Sequence, residues 1–132
     1  MKYNITVIEE SNHAFRSKII SALTREGFEV AAAASSQDIL STPDKFKPQL
    51  IILGEGLPID SFEACFQLRQ TVKALILMVG NVPGDQAWTR VVDAGADFYL
   101  EKPFGYLELV ARVKALLRRY EWSASRKVQG KQ

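Results

Sequence analysis

Two short runs, Leu50-Ile51-Ile52-Leu53 and Leu75-Ile76-Leu77-Met78-Val79, are apolar at every position. A strand sends alternate side chains to opposite faces, so a strand with no polar face must be covered on both sides. That requirement excludes an open antiparallel sheet and points to a parallel sheet sandwiched between helices. The rest of the chain agrees with it. Asn4-Ile5-Thr6-Val7-Ile8, Phe28-Glu29-Val30-Ala31-Ala32-Ala33 and Phe98-Tyr99-Leu100 read as three further strands. Between the strands lie segments of helical period.

The first helix opens at Ser11-Asn12, carries Phe15, Ile19, Ala22 and Leu23 at helical spacing, and closes at Gly27. A short, weak second helix follows Ser35-Ser36 and ends before Pro43. Phe62, Cys65, Phe66 and Leu68 mark the third. The fourth begins after Asn81-Val82-Pro83-Gly84-Asp85, carries Trp88, Val91 and Val92, and stops at Gly95. Tyr106, Leu109, Val110, Val113, Leu116, Leu117 and Tyr120 form one apolar stripe on the fifth. Five strands alternating with five helices predict a doubly wound α/β fold with a five-stranded parallel sheet in the order 2-1-3-4-5. No internal repeat or low-complexity stretch interrupts it.

At 132 residues one domain is expected. We place it over 1–119, with residues 120–132 as a basic linker or tail and nothing folded expected after about Trp122. Residues 118–132 hold five basic residues and one acid; the first 117 hold 12 basic and 14 acidic. A basic tail on a near-neutral body can signal nucleic acid, but without a core of its own it reads as a linker. No apolar run is long enough to span a bilayer, and the N-terminus meets Glu9 and Glu10 too soon for a secretory signal. A single cysteine, Cys65, excludes an internal disulfide framework and fits a reducing cytoplasm. Cys65 reads as core packing. The single histidine, His13, reads as a surface residue and has no partner for a zinc site.

In a doubly wound sheet, ligands bind beyond the carboxyl ends of the strands. The first strand ends at Glu9 and Glu10, the third at Gly54, the fourth at Val79 and Gly80, and the fifth near Lys102. Two carboxylates and a lysine therefore converge on one cleft.

These pieces resemble the receiver (CheY-like) domain of bacterial two-component response regulators, over residues 3 to about 119. The carriers are Glu9-Glu10, Leu50-Ile51-Ile52-Leu53 with Leu57-Pro58, and Gly95-Ala96-Asp97-Phe98-Tyr99-Leu100-Glu101-Lys102-Pro103-Phe104. Residues 108–119 resemble the winged-helix, OmpR/PhoB-type subfamily. The resemblance implies four functional features: an acidic pair for Mg²⁺, an aspartate that accepts a phosphoryl group, a Ser or Thr ending the fourth strand, and a lysine that neutralises the phosphate. They match Glu9-Glu10, Gly54, Gly80 and Lys102, with Gly80 fixed by counting back from Gly95 and Lys102.

Two of the four are therefore missing, and the pocket reads as vestigial. Glycine cannot be the nucleophile, and Glu55 is expected to face away from position 54. No catalytic residue, metal or cofactor is expected, with weak Mg²⁺ binding at Glu9 and Glu10 left open. Lys102 is expected to pair with Glu9 or Glu10. Tyr99 matches the family's switch aromatic and is expected inward over Gly80. Trp88, Asp97, Phe98, Glu108, Arg112 and Arg119 fall on the face that the subfamily uses for dimers. The resulting expectation is a phosphorylation-independent, homodimeric regulatory module of a transcription regulator. DNA would be contacted by a C-terminal domain absent from this chain. The alternative is a stand-alone module that binds a protein partner through the same face. An enzyme on this sheet would need an aspartate at a strand end, which the first and third strands lack.

Overall fold

In β3 (Leu50–Leu53) all four side chains are buried, and they divide by parity between the two faces of the sheet. Leu50 and Ile52 pack on one side with Ile5, Val7, Leu77 and Val79. Ile51 and Leu53 pack on the other with Ile8, Ile76 and Met78. Truncating one such side chain to alanine costs about 2–5 kcal/mol, because close-packed neighbours collapse only partly into the gap.

The computed structural model describes residues 3–35, 38 and 47–129, and side chains as far as residue 121. β1 (Asn4–Ile8), β2 (Glu29–Ala32), β3, β4 (Leu75–Gly80) and β5 (Phe98–Glu101) form one parallel sheet in the order β2-β1-β3-β4-β5. The order agrees with the expectation. β2 and β5 are the edge strands, and β2 is mostly exposed.

Four helices are described: α1 (His13–Arg25), α2 (Ser61–Thr71), α3 (Gly84–Ala94) and α4 (Tyr106–Gln129). The short helix expected between Ser35 and Pro43 lies outside the described residues. α1 and α4 cover the face lined by Leu50 and Ile52, through Ile19, Leu23, Leu109, Val113 and Leu117. α2 and α3 cover the other, through Phe62, Cys65, Leu68, Ala87 and Val91. Among the described residues no helix is long and apolar enough to cross a membrane.

Two expectations need correction. Phe66 does not share the buried stripe of α2 but is 48% exposed; Ala64 takes the buried place beside Cys65. The tail does not lose its structure after Trp122, since α4 runs to Gln129. Extending an existing helix costs far less than nucleating one, and no glycine or proline interrupts the chain before Gly130.

Candidate functional site

The cleft is built where β1, β3, β4 and β5 end side by side. Main-chain bonds fix the distances between these ends. Gly54 N donates to Ile8 O at 2.7 Å, and Lys102 N donates to Gly80 O at 2.8 Å. Glu55 O accepts from both Glu10 N at 2.8 Å and Ser11 N at 3.1 Å. That double bond draws the loop after β3 against the loop after β1. Gly56 permits it: its φ is +87°, and a Cβ there would lie 2.2 Å from Ser11 N.

Glu9 is fully buried. One carboxylate oxygen, Oε2, accepts from Ser11 N at 2.7 Å, from the Ser11 hydroxyl, and from Asn12 N at 3.1 Å. The other, Oε1, accepts from Glu55 N at 3.1 Å and lies 3.7 Å from Lys102 Nζ. A buried carboxylate is tolerated only when it is hydrogen-bonded and paired, and this one is both. The N-terminus of α1 helps: Asn12 caps the helix through Phe15 N at 3.0 Å, leaving its own N–H free to meet Glu9.

Glu10 points elsewhere. It pairs with Arg16 at 2.9 Å and lies 3.6 Å from His13. Of the two partners expected for Lys102, Glu9 or Glu10, the structure uses Glu9 and adds Glu55, which was not foreseen. Glu9 lies within ion-pair distance, Glu10 does not take part, and the nearer partner is Glu55 at 3.0 Å. Glu55 was expected to face away because strand alternation was extended to it. It lies past the end of β3, in the bend between Gly54 and Gly56, where alternation no longer applies. Its carboxylate turns into the cleft and also accepts from Asn81 Nδ2 at 3.2 Å. The flanking glycines were the signal that could have revealed this.

The resemblance implies Mg²⁺ at the acidic pair. The residues present do not fit it. Glu9 Oε2 already accepts three hydrogen bonds, and Oε1 accepts one and faces the Lys102 ammonium, so a cation there would have to displace these partners. Glu10 is engaged by Arg16 and His13, and position 54 offers no side-chain oxygen. Among the described residues no group of three or more His, Cys, Asp or Glu side chains could hold a metal ion.

At the end of β4, Gly80 leaves room for Tyr99. A Cβ at position 80 would lie 3.0 Å from the tyrosine oxygen and 3.6 Å from Glu55 Oε2. The Tyr99 ring is buried, stacks on Phe62 at 6.3 Å, and donates its hydroxyl to Val82 O at 2.8 Å. Burial pushes its ionisation up.

On the neighbouring face, Trp88 is 41% exposed and meets Phe98 edge-on at 5.3 Å. The Arg112 guanidinium sits 4.0 Å above the Phe98 ring. Glu108 and Arg119 are exposed on α4. Asp97, assigned to this face from the sequence, is directed into the chain: its carboxylate accepts from Ile76 N at 2.8 Å and pairs with Arg69 at 3.3 Å. Arg69 was not foreseen. It also donates to Gly95 O, Val72 O and Ala74 O, tying the end of α2 to the turn before β5. Glu101 was likewise missed; it accepts from Gly84 N at 2.9 Å and so caps α3, where Pro83 offers no side-chain cap.

Residues 5–114 match the family model described as Response regulator receiver domain. The transcriptional regulatory protein AfsQ1 of Streptomyces coelicolor is 38% identical over 113 residues, covering 85% of this chain and 50% of that protein. The alkaline phosphatase synthesis transcriptional regulatory protein PhoP of Bacillus subtilis is 39% identical over 105 residues, covering 77% and 43%. The crystal structure of response regulator DrrB, a Thermotoga maritima OmpR/PhoB homologue, superposes with a TM-score of 0.76 at 26% identity, covering 91% of this chain and 54% of that one. The chain thus spans about half the length of these relatives.

Proposed function

The chain belongs to the response regulator receiver domain family, with homologues of the OmpR/PhoB type, and from that premise we propose that it is a phosphorylation-independent member acting through assembly. The observation that carries this reading is the state of the cleft. Position 54 has no nucleophile, position 80 has no hydroxyl, and the carboxylate of Glu9 is buried and hydrogen-bonded within the chain. Phosphoryl transfer to an aspartate needs an attacking oxygen and a cation to neutralise developing charge; position 54 supplies no such oxygen, and the Glu55 carboxylate that enters the cleft is engaged by Lys102 and Asn81. The pocket of Glu9, Glu10, Gly54, Gly80 and Lys102 then serves as structure.

What remains functional in this reading is the face of α3, β5 and α4. Trp88 and Phe98 put aromatic area where it is partly exposed, Arg112 lies over the Phe98 ring, and Glu108 and Arg119 are exposed on α4, a composition suited to an interface. The protein is a homodimer through this face and the regulatory half of a transcription regulator. A further domain would make the DNA contact; AfsQ1 and PhoP are named as transcriptional regulatory proteins, and this chain matches about half of each.

The test is treatment with acetyl phosphate, and separately with beryllofluoride and Mg²⁺, read by intact mass and by sedimentation. We expect no added phosphate, no ligand-dependent shift, and a dimer at tens of micromolar that Trp88→Glu converts to monomer. A covalent phosphate, or a monomeric wild-type protein, would overturn the proposal.

A further inference from the structure

We infer that Glu9 and Gly54 are one coupled exchange, in which the chain's own carboxylate occupies the place left by the side chain missing at position 54. This inference rests on the phosphorylation-independent reading and says how the switch is held. An ideal Cβ on Gly54 would lie 2.2 Å from Glu9 Oε1, 3.0 Å from its Cδ and 3.1 Å from its Cβ. The first of these is a collision. The backbone of Gly54 does not itself demand glycine, because among the described residues only Gly27, Gly56 and Gly95 have positive φ. The demand comes from Glu9.

Nor can Glu9 step aside cheaply, although its carboxylate is the end of a flexible side chain. Its Oε1 would leave the Glu55 amide and move off Lys102, and its Oε2 would strain three donors from Ser11 and Asn12. The longer side chain explains the choice of residue: the extra methylene of glutamate carries the carboxylate from the end of β1 across to the end of β3. Glu9 thereby stays fully buried, in a position that a Cβ at position 54 would collide with.

The consequence is regulatory. Lys102 is held by two internal carboxylates, Glu9 at 3.7 Å and Glu55 at 3.0 Å, and Glu55 also binds Asn81 in the loop that leads into α3. The counter-ion of the lysine is part of the chain and cannot be added or removed. The loop before α3, with Tyr99 bonded to its Val82 carbonyl, is set in one position. The Trp88 face inherits that setting without an external signal.

The experiment is a double-substitution cycle on thermal unfolding. Gly54→Ala alone should lower the melting midpoint by roughly 5–10 °C. In a Glu9→Ala background, or in Glu9→Asp should the alanine protein fail to fold, the same Gly54→Ala change should cost less than half as much, or raise the midpoint. A Gly54→Ala protein that folds only when Glu9 is also shortened supports the inference equally. Equal losses in both backgrounds, or a Gly54→Ala protein as stable as wild type, overturn it. Either result leaves the mass measurement with acetyl phosphate untouched, so failure of the exchange is separable from failure of the functional reading.

Discussion

Replacing Lys102 by methionine isolates what the internal ion pairs contribute. The Lys102 side chain is 19% exposed, Glu55 30% and Glu9 0%. The bond to Glu55 joins two partly solvated groups, so solvent screening reduces it to about 1 kcal/mol. The interaction with Glu9 is worth more, because that carboxylate has no access to water. Glu9 would keep its four hydrogen bonds to Ser11, Asn12 and Glu55, so it is not stranded as a bare charge, whose cost would be about 3–5 kcal/mol. We take about 1–2 kcal/mol for this part. The cation lies 4.6 Å from the Phe15 ring, a contact worth about 0.5–1 kcal/mol that the methionine thioether largely replaces. The strand end itself is undisturbed, since the Lys102 amide still bonds to Gly80 O. The sum is a loss of about 2–3 kcal/mol, read as a lower midpoint in urea with an unchanged slope. Glu55→Gln, which removes only the screened partner, should cost about 1 kcal/mol or less. A Lys102→Met loss under about 0.5 kcal/mol would show that neutral donors alone satisfy Glu9, and would refute the argument.

Gly80→Thr should turn the Tyr99 ring outward, because a Cβ there already touches its hydroxyl at 3.0 Å; losing the Val82 bond and part of the ring burial costs about 2 kcal/mol, and an unchanged Tyr99 ring environment by NMR would contradict this. Arg69→Ala removes donors to Gly95, Val72 and Ala74 and the partner of Asp97; we expect a loss of about 2–4 kcal/mol, and a loss below about 1 kcal/mol in chemical denaturation would count against it. Burial pushes the Cys65 thiol up from 9.0 to about 11. The folded state therefore holds the proton more tightly than the unfolded one, full stability is kept below the unfolded value, and it falls as pH rises from 9.0 to about 11. Cys65→Ala should flatten that alkaline limb, and an identical slope in the variant would refute the assignment.

The sheet was legible because its signal is one-dimensional. Leu50–Leu53 and Leu75–Val79 are apolar at every position, and that alone requires cover on both faces. The caps were legible at Asn12, Gly27 and Gly95, where residue type and position coincide. Phe66 was misread because at helical spacing it sits at the border of the apolar stripe, and only the packing of α2 against its neighbours decides which side of that border is covered.

The sequence alone determined the order of the elements, the convergence of Glu9, Gly54, Gly80 and Lys102 at the strand ends, and the absence of a nucleophile at position 54. The tertiary structure alone decided how the acidic side chains are used. Glu9 crosses above Gly54, Glu10 turns to Arg16, Glu55 enters the cleft, and Asp97 serves Arg69 and Ile76 N. The physical reason is that an ionised side chain settles where donors and counter-charges offset its desolvation. For Glu9, Ser11 and Asn12 are neighbours in the sequence, but Glu55 and Lys102 lie far along the chain and meet it only when the sheet brings its strand ends together.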